Sequence, residues 1–134
     1  MRSDTQAIEL PVPAARAFAF ISDGANLPLW TLGFVRQARS LGGGRWAVET
    51  PRGDQIWQAD ADPGTGVIDF HTALPPADRR TSHSRVIDMG RHCLFMFTIL
   101  QYPELSDEQF EGMRKSVMGE LESLRSILGG PSVG

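Results

Sequence analysis

One stretch, "SDEQFEGMRKSVMGELESLRSILGGP" at residues 106–131, constrains the fold more than any other. Phe110, Met113, Val117, Leu121, Leu124 and Leu128 recur at helical spacing and so share one face. Ser106 followed by Gln109 has the form of a capping box, and "GGP" stops the run. The pattern predicts an amphipathic helix of about 22 residues, about 33 Å long at 1.5 Å per residue. Glu111 with Lys115, and Glu122 with Arg125, are spaced to pair on its exposed side. The apolar stripe needs a surface to lie on, and the rest of the chain has to supply it.

That surface reads as a sheet. Gly and Pro clusters at 11–13, 42–44, 51–53, 63–66 and 75–76 break the chain into short segments. "AIELPVP" opens as a strand, after which Pro13 can start a short helix over "AARAFAFIS" with Ala14, Phe18 and Ile21 on one face. "DGANLPLW" reads as a second short helix, interrupted near Pro28. "RWAVET" and "DQIWQADA" form a hairpin around "PRG", with a two-residue turn at Arg52 and Gly53. Trp46, Val48, Trp57 and Ala59 then share a dry face, opposite Arg45, Glu49, Asp54 and Gln58. In "GVIDFHTAL", Ile68, Phe70 and Leu74 alternate with Asp69, His71 and Ala73. Residues 81–100, "TSHSRVIDMGRHCLFMFTIL", read as two strands hinged at "DMGR". The fold class is α+β: a curved antiparallel sheet of about seven strands, two short helices near the N-terminus and the long C-terminal helix across the sheet.

With 134 residues the chain is expected to form a single domain, 1–134, able to fold without disulfide or metal. A net charge of −3 gives no pull toward phosphate backbones, so nucleic acid is not an expected partner. One cysteine excludes an internal disulfide, the N-terminus lacks a signal peptide's apolar core, and no apolar run reaches the roughly 18 residues of a membrane span. The expected location is the cytoplasm.

The segments "IELPVPAARAFAFISDGANLPLW" and "YPELSDEQF", with "VETPRG", "GVIDFH" and "SRV" between them, resemble the START-like (SRPBCC) superfamily over nearly the whole chain. That superfamily includes polyketide cyclases, Bet v 1-like allergens and lipid-transfer domains. The motifs look most like a bacterial branch labelled polyketide cyclase or dehydrase-like. The resemblance implies a helix-grip fold whose space between sheet and long helix takes small hydrophobic molecules, without a cofactor. Trp30, Trp57, Phe95, Phe97, Phe110, Met113 and Val117 are the expected ligand-binding side chains.

Polar candidates for the same site are few. Asp69 and His71, two apart on a strand, face the same way, and a carboxylate there can orient an imidazole for acid–base work; on the wet face they would be ordinary surface groups. Arg85 stands across from Leu94 with a two-residue turn at Met89 and Gly90, or from Phe95 with a three-residue turn. Turned inward it would anchor a ligand oxygen, and His83 follows it. His83 and His92 lie about 15 Å or more apart along the hairpin, and His92 and Cys93 point to opposite faces, so no metal site is expected. Cys93, among Leu94, Phe95 and Phe97, reads as a small buried hydrophobe. Three readings follow: a binder of a small lipid-like, aromatic or polyketide-like ligand; a cyclase or dehydratase using Asp69, His71, His83 or Arg85 on a ketone; and a protein-interaction module with a collapsed cavity. A homodimer is compatible with each.

Overall fold

The computed structural model describes residues 1–72 and 80–129. Strand β1 (Ser3–Leu10) leads to helix α1 (Ala14–Ser22), a 3-10 turn (Gly24–Asn26) and the single helical turn α2 (Leu27–Trp30). Strands β2 (Gln37–Gly42), β3 (Arg45–Thr50), β4 (Gly53–Asp62), β5 (Val67–Thr72), β6 (Arg80–Asp88) and β7 (Cys93–Leu100) follow, and helix α3 (Asp107–Gly129) closes the chain. The strands form one curved antiparallel sheet in the order β1-β7-β6-β5-β4-β3-β2. This is the α+β arrangement the sequence predicts. Leu74 and Ala73, assigned there to a strand, lie outside the described residues.

Helix α3 begins where the capping box places it. The Ser106 hydroxyl accepts the Gln109 N–H at 3.0 Å, and the Gln109 side chain accepts the Ser106 N–H at 2.8 Å, so two N-terminal donors are satisfied reciprocally. Phe110, Val117, Leu121, Leu124 and Leu128 are buried against the sheet. Glu122 pairs with Arg125 at 2.8 Å as the spacing suggests. Glu111 does not take Lys115 as its partner. It meets Arg114 at 3.3 Å and Arg2 at 3.2 Å, because the helix start packs beside β1 and brings Arg2 across Phe110, 5.1 Å from its ring centre.

Register then decides which side chains face α3, since cross-strand partners share a face. Between β3 and β4 the turn is Pro51 and Arg52, with Thr50 opposite Gly53, one residue earlier than the predicted Arg52–Gly53 turn. Trp46 therefore pairs with Trp57, a two-residue shift that leaves every side chain on its predicted face. Between β6 and β7 a four-residue loop joins Asp88 to Cys93, longer than either predicted turn, so Arg85 pairs with Met96. Cys93, Phe95 and Phe97 pair with Leu10, Ile8 and Gln6 of β1 and face the helix.

Candidate functional site

The inner face between sheet and α3 is filled with rings. Trp30 meets Phe95 edge to face at 6.3 Å, Phe95 meets Phe97 at 6.3 Å, and Trp57 lies between Phe70 and Phe34 at 6.0 and 6.3 Å. Phe95 and Phe110 have no exposed surface. Of the expected ligand-binding residues, Trp30, Phe95, Phe110 and Val117 are buried in this core and Phe97 and Met113 are packed against it. The indole N–H of Trp30 is buried and has no hydrogen-bond partner, an orphan donor inside an otherwise apolar interior.

Where that interior approaches solvent, a cleft of about 280 Å³ opens between α3, the 31–34 loop after α2, and the β3–β4 turn. Thr31, Leu32, Gly33, Phe34, Pro51, Ser116 and Glu120 line it. Its frame is fixed by two threonines, the two buried polar residues among those described. Thr31 Oγ1 donates to the Leu27 carbonyl at 2.7 Å and accepts the Val35 N–H at 3.1 Å, tying the loop back onto α2. Thr50 Oγ1 donates to the Gly53 carbonyl at 2.8 Å and accepts the Arg52 N–H at 3.1 Å, which sets the turn that presents Pro51. Burying these hydroxyls is tolerable because each donates one hydrogen bond and accepts another.

The loop between them is strained. Leu32 has φ +53°, the one positive value among the described non-glycine residues, followed by Gly33 at +86°. A leucine in this region costs of order 1–3 kcal/mol, and such strain concentrates at ligand clamps. The twist lays Leu32, 61% exposed, over α3 at Gly119, where a methyl group would stand 2.9 Å from Leu32 Cδ1. It also turns Phe34 onto Trp57, so the cleft wall is continuous with the aromatic core.

Glu120 is the titratable group in the lining. It makes no hydrogen bond or ion pair among the described residues, and burial alone pushes its carboxyl up to about 8. Glu120 was not among the expected site residues, although its signal is in the sequence: it stands three residues after Val117 and four before Leu124, a carboxyl at the edge of the helix's apolar stripe. Leu32, Phe34 and Ser116 were overlooked as well, since nothing in a short loop's composition shows that it will fold over a helix.

The acid–base candidates stand on the other side of the sheet. Asp69 is paired across from His83, and His71 across from Thr81, all on the face away from α3. Asp69 and His71 share that face but not a bond: Asp69 reaches His83 at 3.6 Å, while His71 meets Thr81 at 2.7 Å and Asp60 at 3.8 Å. Arg85 donates through Nε to the Thr65 carbonyl at 3.0 Å. The four-residue β6–β7 loop is the physical reason, because it pairs His83, Arg85 and Ile87 with Thr98, Met96 and Leu94 rather than with Phe95 and Phe97. Of the two faces the sequence left open for Arg85 and His83, this register takes the one away from α3. Cys93 is buried, and burial, with the Asp88 carboxylate adding to it, pushes its thiol up and away from thiolate chemistry. Among the described residues no group of three or more His, Cys, Asp or Glu is placed to hold a metal ion, and no helix is long and apolar enough to cross a membrane.

No family model matches the chain, and no curated protein does. Solved structures do. A START superfamily protein from Mycobacterium smegmatis superposes with a TM-score of 0.71 at 12% identity over 95% of this chain and 97% of the other. The Aha1 dimer from Colwellia psychrerythraea gives 0.73 at 13% identity, over 96% of each chain. The Zhui aromatase/cyclase from Streptomyces sp. R1128 gives 0.68 at 13%, over 96% and 93%. The fold is therefore the START-like, Bet v 1-like helix grip, shared with polyketide aromatase/cyclases. At these identities the likeness defines the architecture and leaves the chemistry to the residues of this chain.

Proposed function

We propose that this protein binds a small, largely apolar molecule, of lipid, aromatic or polyketide-like character, at the cleft between the 31–34 loop and α3. The observation that carries this reading is the cleft itself: an apolar-walled recess whose rim is held by Thr31 and Thr50 and whose Phe34 wall rests on Trp57. Its volume of about 280 Å³ lies just below the range of about 300 to 1,000 Å³ usual for ligand sites, so the reading favours a ligand of one or two rings over a long lipid. Trp30, Trp57, Phe95, Phe97, Phe110, Met113 and Val117 take part as the packed layer behind the cleft, which a larger ligand would enter by displacing rings.

A cyclase or dehydratase would need two titratable groups converging on the ligand. The cleft lining offers Glu120 alone, and Asp69, His71, His83 and Arg85 face away from α3, so binding is the simpler reading. The proposal includes a cytoplasmic location, which suits a chain with a single, buried, unpaired cysteine. A homodimer belongs to the proposal as well, the Colwellia structure being that of a dimer; sedimentation velocity would read it. The deciding experiment for binding is native mass spectrometry of freshly purified protein, with calorimetric titration of naphthalene. A bound small molecule, or naphthalene affinity lost on Phe34→Ala, supports the reading. Protein that carries nothing and takes up no apolar probe refutes it.

A further inference from the structure

Glu120 sits where the cleft meets the helix, one turn after Ser116 on the same side of α3. No cation lines the cleft: the loop contributes Thr31, Leu32, Gly33 and Phe34, the turn contributes Pro51 with an exposed Arg52 beyond it, and the helix contributes Ser116. The two threonine hydroxyls each spend their one proton within the frame, on the Leu27 and Gly53 carbonyls, and so have no donor to offer the cleft. The Phe34 N–H already occupies the Thr31 carbonyl. The carboxyl of Glu120 is thus a polar group in an apolar recess for which the described residues provide no partner.

We infer that the cleft selects uncharged apolar ligands bearing a hydrogen-bond-accepting oxygen, such as a ketone or ester carbonyl, and that the unpartnered carboxyl of Glu120 in its wall makes the bond that orients them. This rests on the proposed binding site and names its substrate class.

The chemistry follows from the surroundings. Glu120 is half-buried at the cleft wall with no cation in the lining, and desolvation holds its proton on; with a pKa of about 8, about nine-tenths of the molecules carry it at pH 7. A protonated carboxyl has one O–H to donate, whereas an ionised one only accepts. A ligand carboxylate or phosphate would find no counter-ion in the lining and would face a second acid. A ligand ammonium would have to displace the proton that burial holds in place. A ligand carbonyl meets neither obstacle, and it supplies the acceptor that the recess lacks. Ser116, a turn earlier, adds a second hydroxyl that can serve the same oxygen.

The test compares four probes of one shape by isothermal titration calorimetry on the full chain: naphthalene, 2-acetylnaphthalene, 2-naphthoate and 2-naphthylmethylamine. At pH 6.5 the ketone is expected to bind about fivefold tighter than naphthalene, the size of one net hydrogen bond, with the naphthoate and the amine weaker than the ketone. By pH 9.5, where Glu120 has lost its proton, the ketone's advantage falls to parity. Glu120→Gln retains a donor and keeps the advantage at both pH values. Glu120→Ala abolishes the advantage while still binding naphthalene, which shows the site to be intact. Equal binding of ketone and naphthalene at pH 6.5, a preference that ignores pH in the unsubstituted protein, or tighter binding of the amine or the naphthoate would each overturn the inference. Failure of all four probes to bind would instead overturn the binding site, and the inference with it.

Discussion

Replacing Glu120 by glutamine should stabilise the protein, and by an amount that grows with pH. The carboxyl titrates at an ordinary 4.5 in the unfolded chain and at about 8 in the fold. Between those values the folded state holds a proton that the unfolded chain has released, so stability falls as pH rises, by about 1.4 kcal/mol per pH unit. The contribution is fully favourable below pH 4.5 and fully lost above pH 8. Taking both titrations together, the cost is about 1 kcal/mol at pH 5, about 3 kcal/mol at pH 7 and about 5 kcal/mol at pH 9. Glutamine has nearly the same shape and never ionises, so the variant avoids that cost. Urea denaturation followed by tryptophan fluorescence gives the comparison at the three pH values. With a denaturant slope of about 1–3 kcal/mol per molar, the variant's midpoint at pH 7 should lie about 1–3 M above that of the parent. Every other titrating group is common to the two proteins and cancels in the difference. A midpoint gap that is the same at pH 5 and pH 9, or a variant less stable than the parent at pH 9, would show that Glu120 is not desolvated in the fold.

Three further outcomes are expected. Gly66→Ala should be severely destabilising, by about 3 kcal/mol or more in the same urea assay, because Gly66 has φ +81° and a methyl group there would stand against the Val86 carbonyl oxygen of the neighbouring strand; a loss below 1 kcal/mol would mean that β5 and β6 separate easily at that end. Ser106→Ala removes the hydroxyl that caps α3 and should cost about 1 kcal/mol, read as a lower thermal midpoint. Arg85→Ala and His83→Ala, on the outer face of β6, should leave naphthalene affinity within twofold of the parent when titrated calorimetrically, and a larger loss would place the site on the wrong side of the sheet.

The parts of the fold that were legible in the sequence are those governed by period and by local hydrogen bonding. The helix from Ser106 to the glycines at its end needed only the spacing of Phe110 through Leu128 and the Ser106–Gln109 pair, because a capping box is complete within four residues. The β3–β4 hairpin kept its faces although the turn was misplaced, since an even shift in pairing preserves the pleat. Arg85 and His83 were not decidable in this way: their face hangs on whether the loop around Gly90 has an even or an odd number of residues, and the sequence left a two- and a three-residue turn both open. The cleft was less legible still. Phe34 and Glu120 are 86 positions apart in the sequence and meet only because a strained turn at Leu32 and Gly33 carries one loop over the helix. What the sequence did hold was Glu120 itself, a carboxyl bordering the apolar stripe beside Leu121.

The two threonines that set the rim have a consequence for how such a molecule could change its cargo over generations. Each bonds within its own short segment, Thr31 to Leu27 and Val35, Thr50 to Gly53 and Arg52, and neither bonds to α3. The mouth is therefore shaped by one part of the chain and given its chemical taste by another. Substitutions at 116 and 120 can exchange a proton donor for a cation, or for a methyl group, while the doorway around them keeps its form. Under the proposed binding role, the kind of small molecule accepted would then be set by two positions on a helix, with the frame left unchanged.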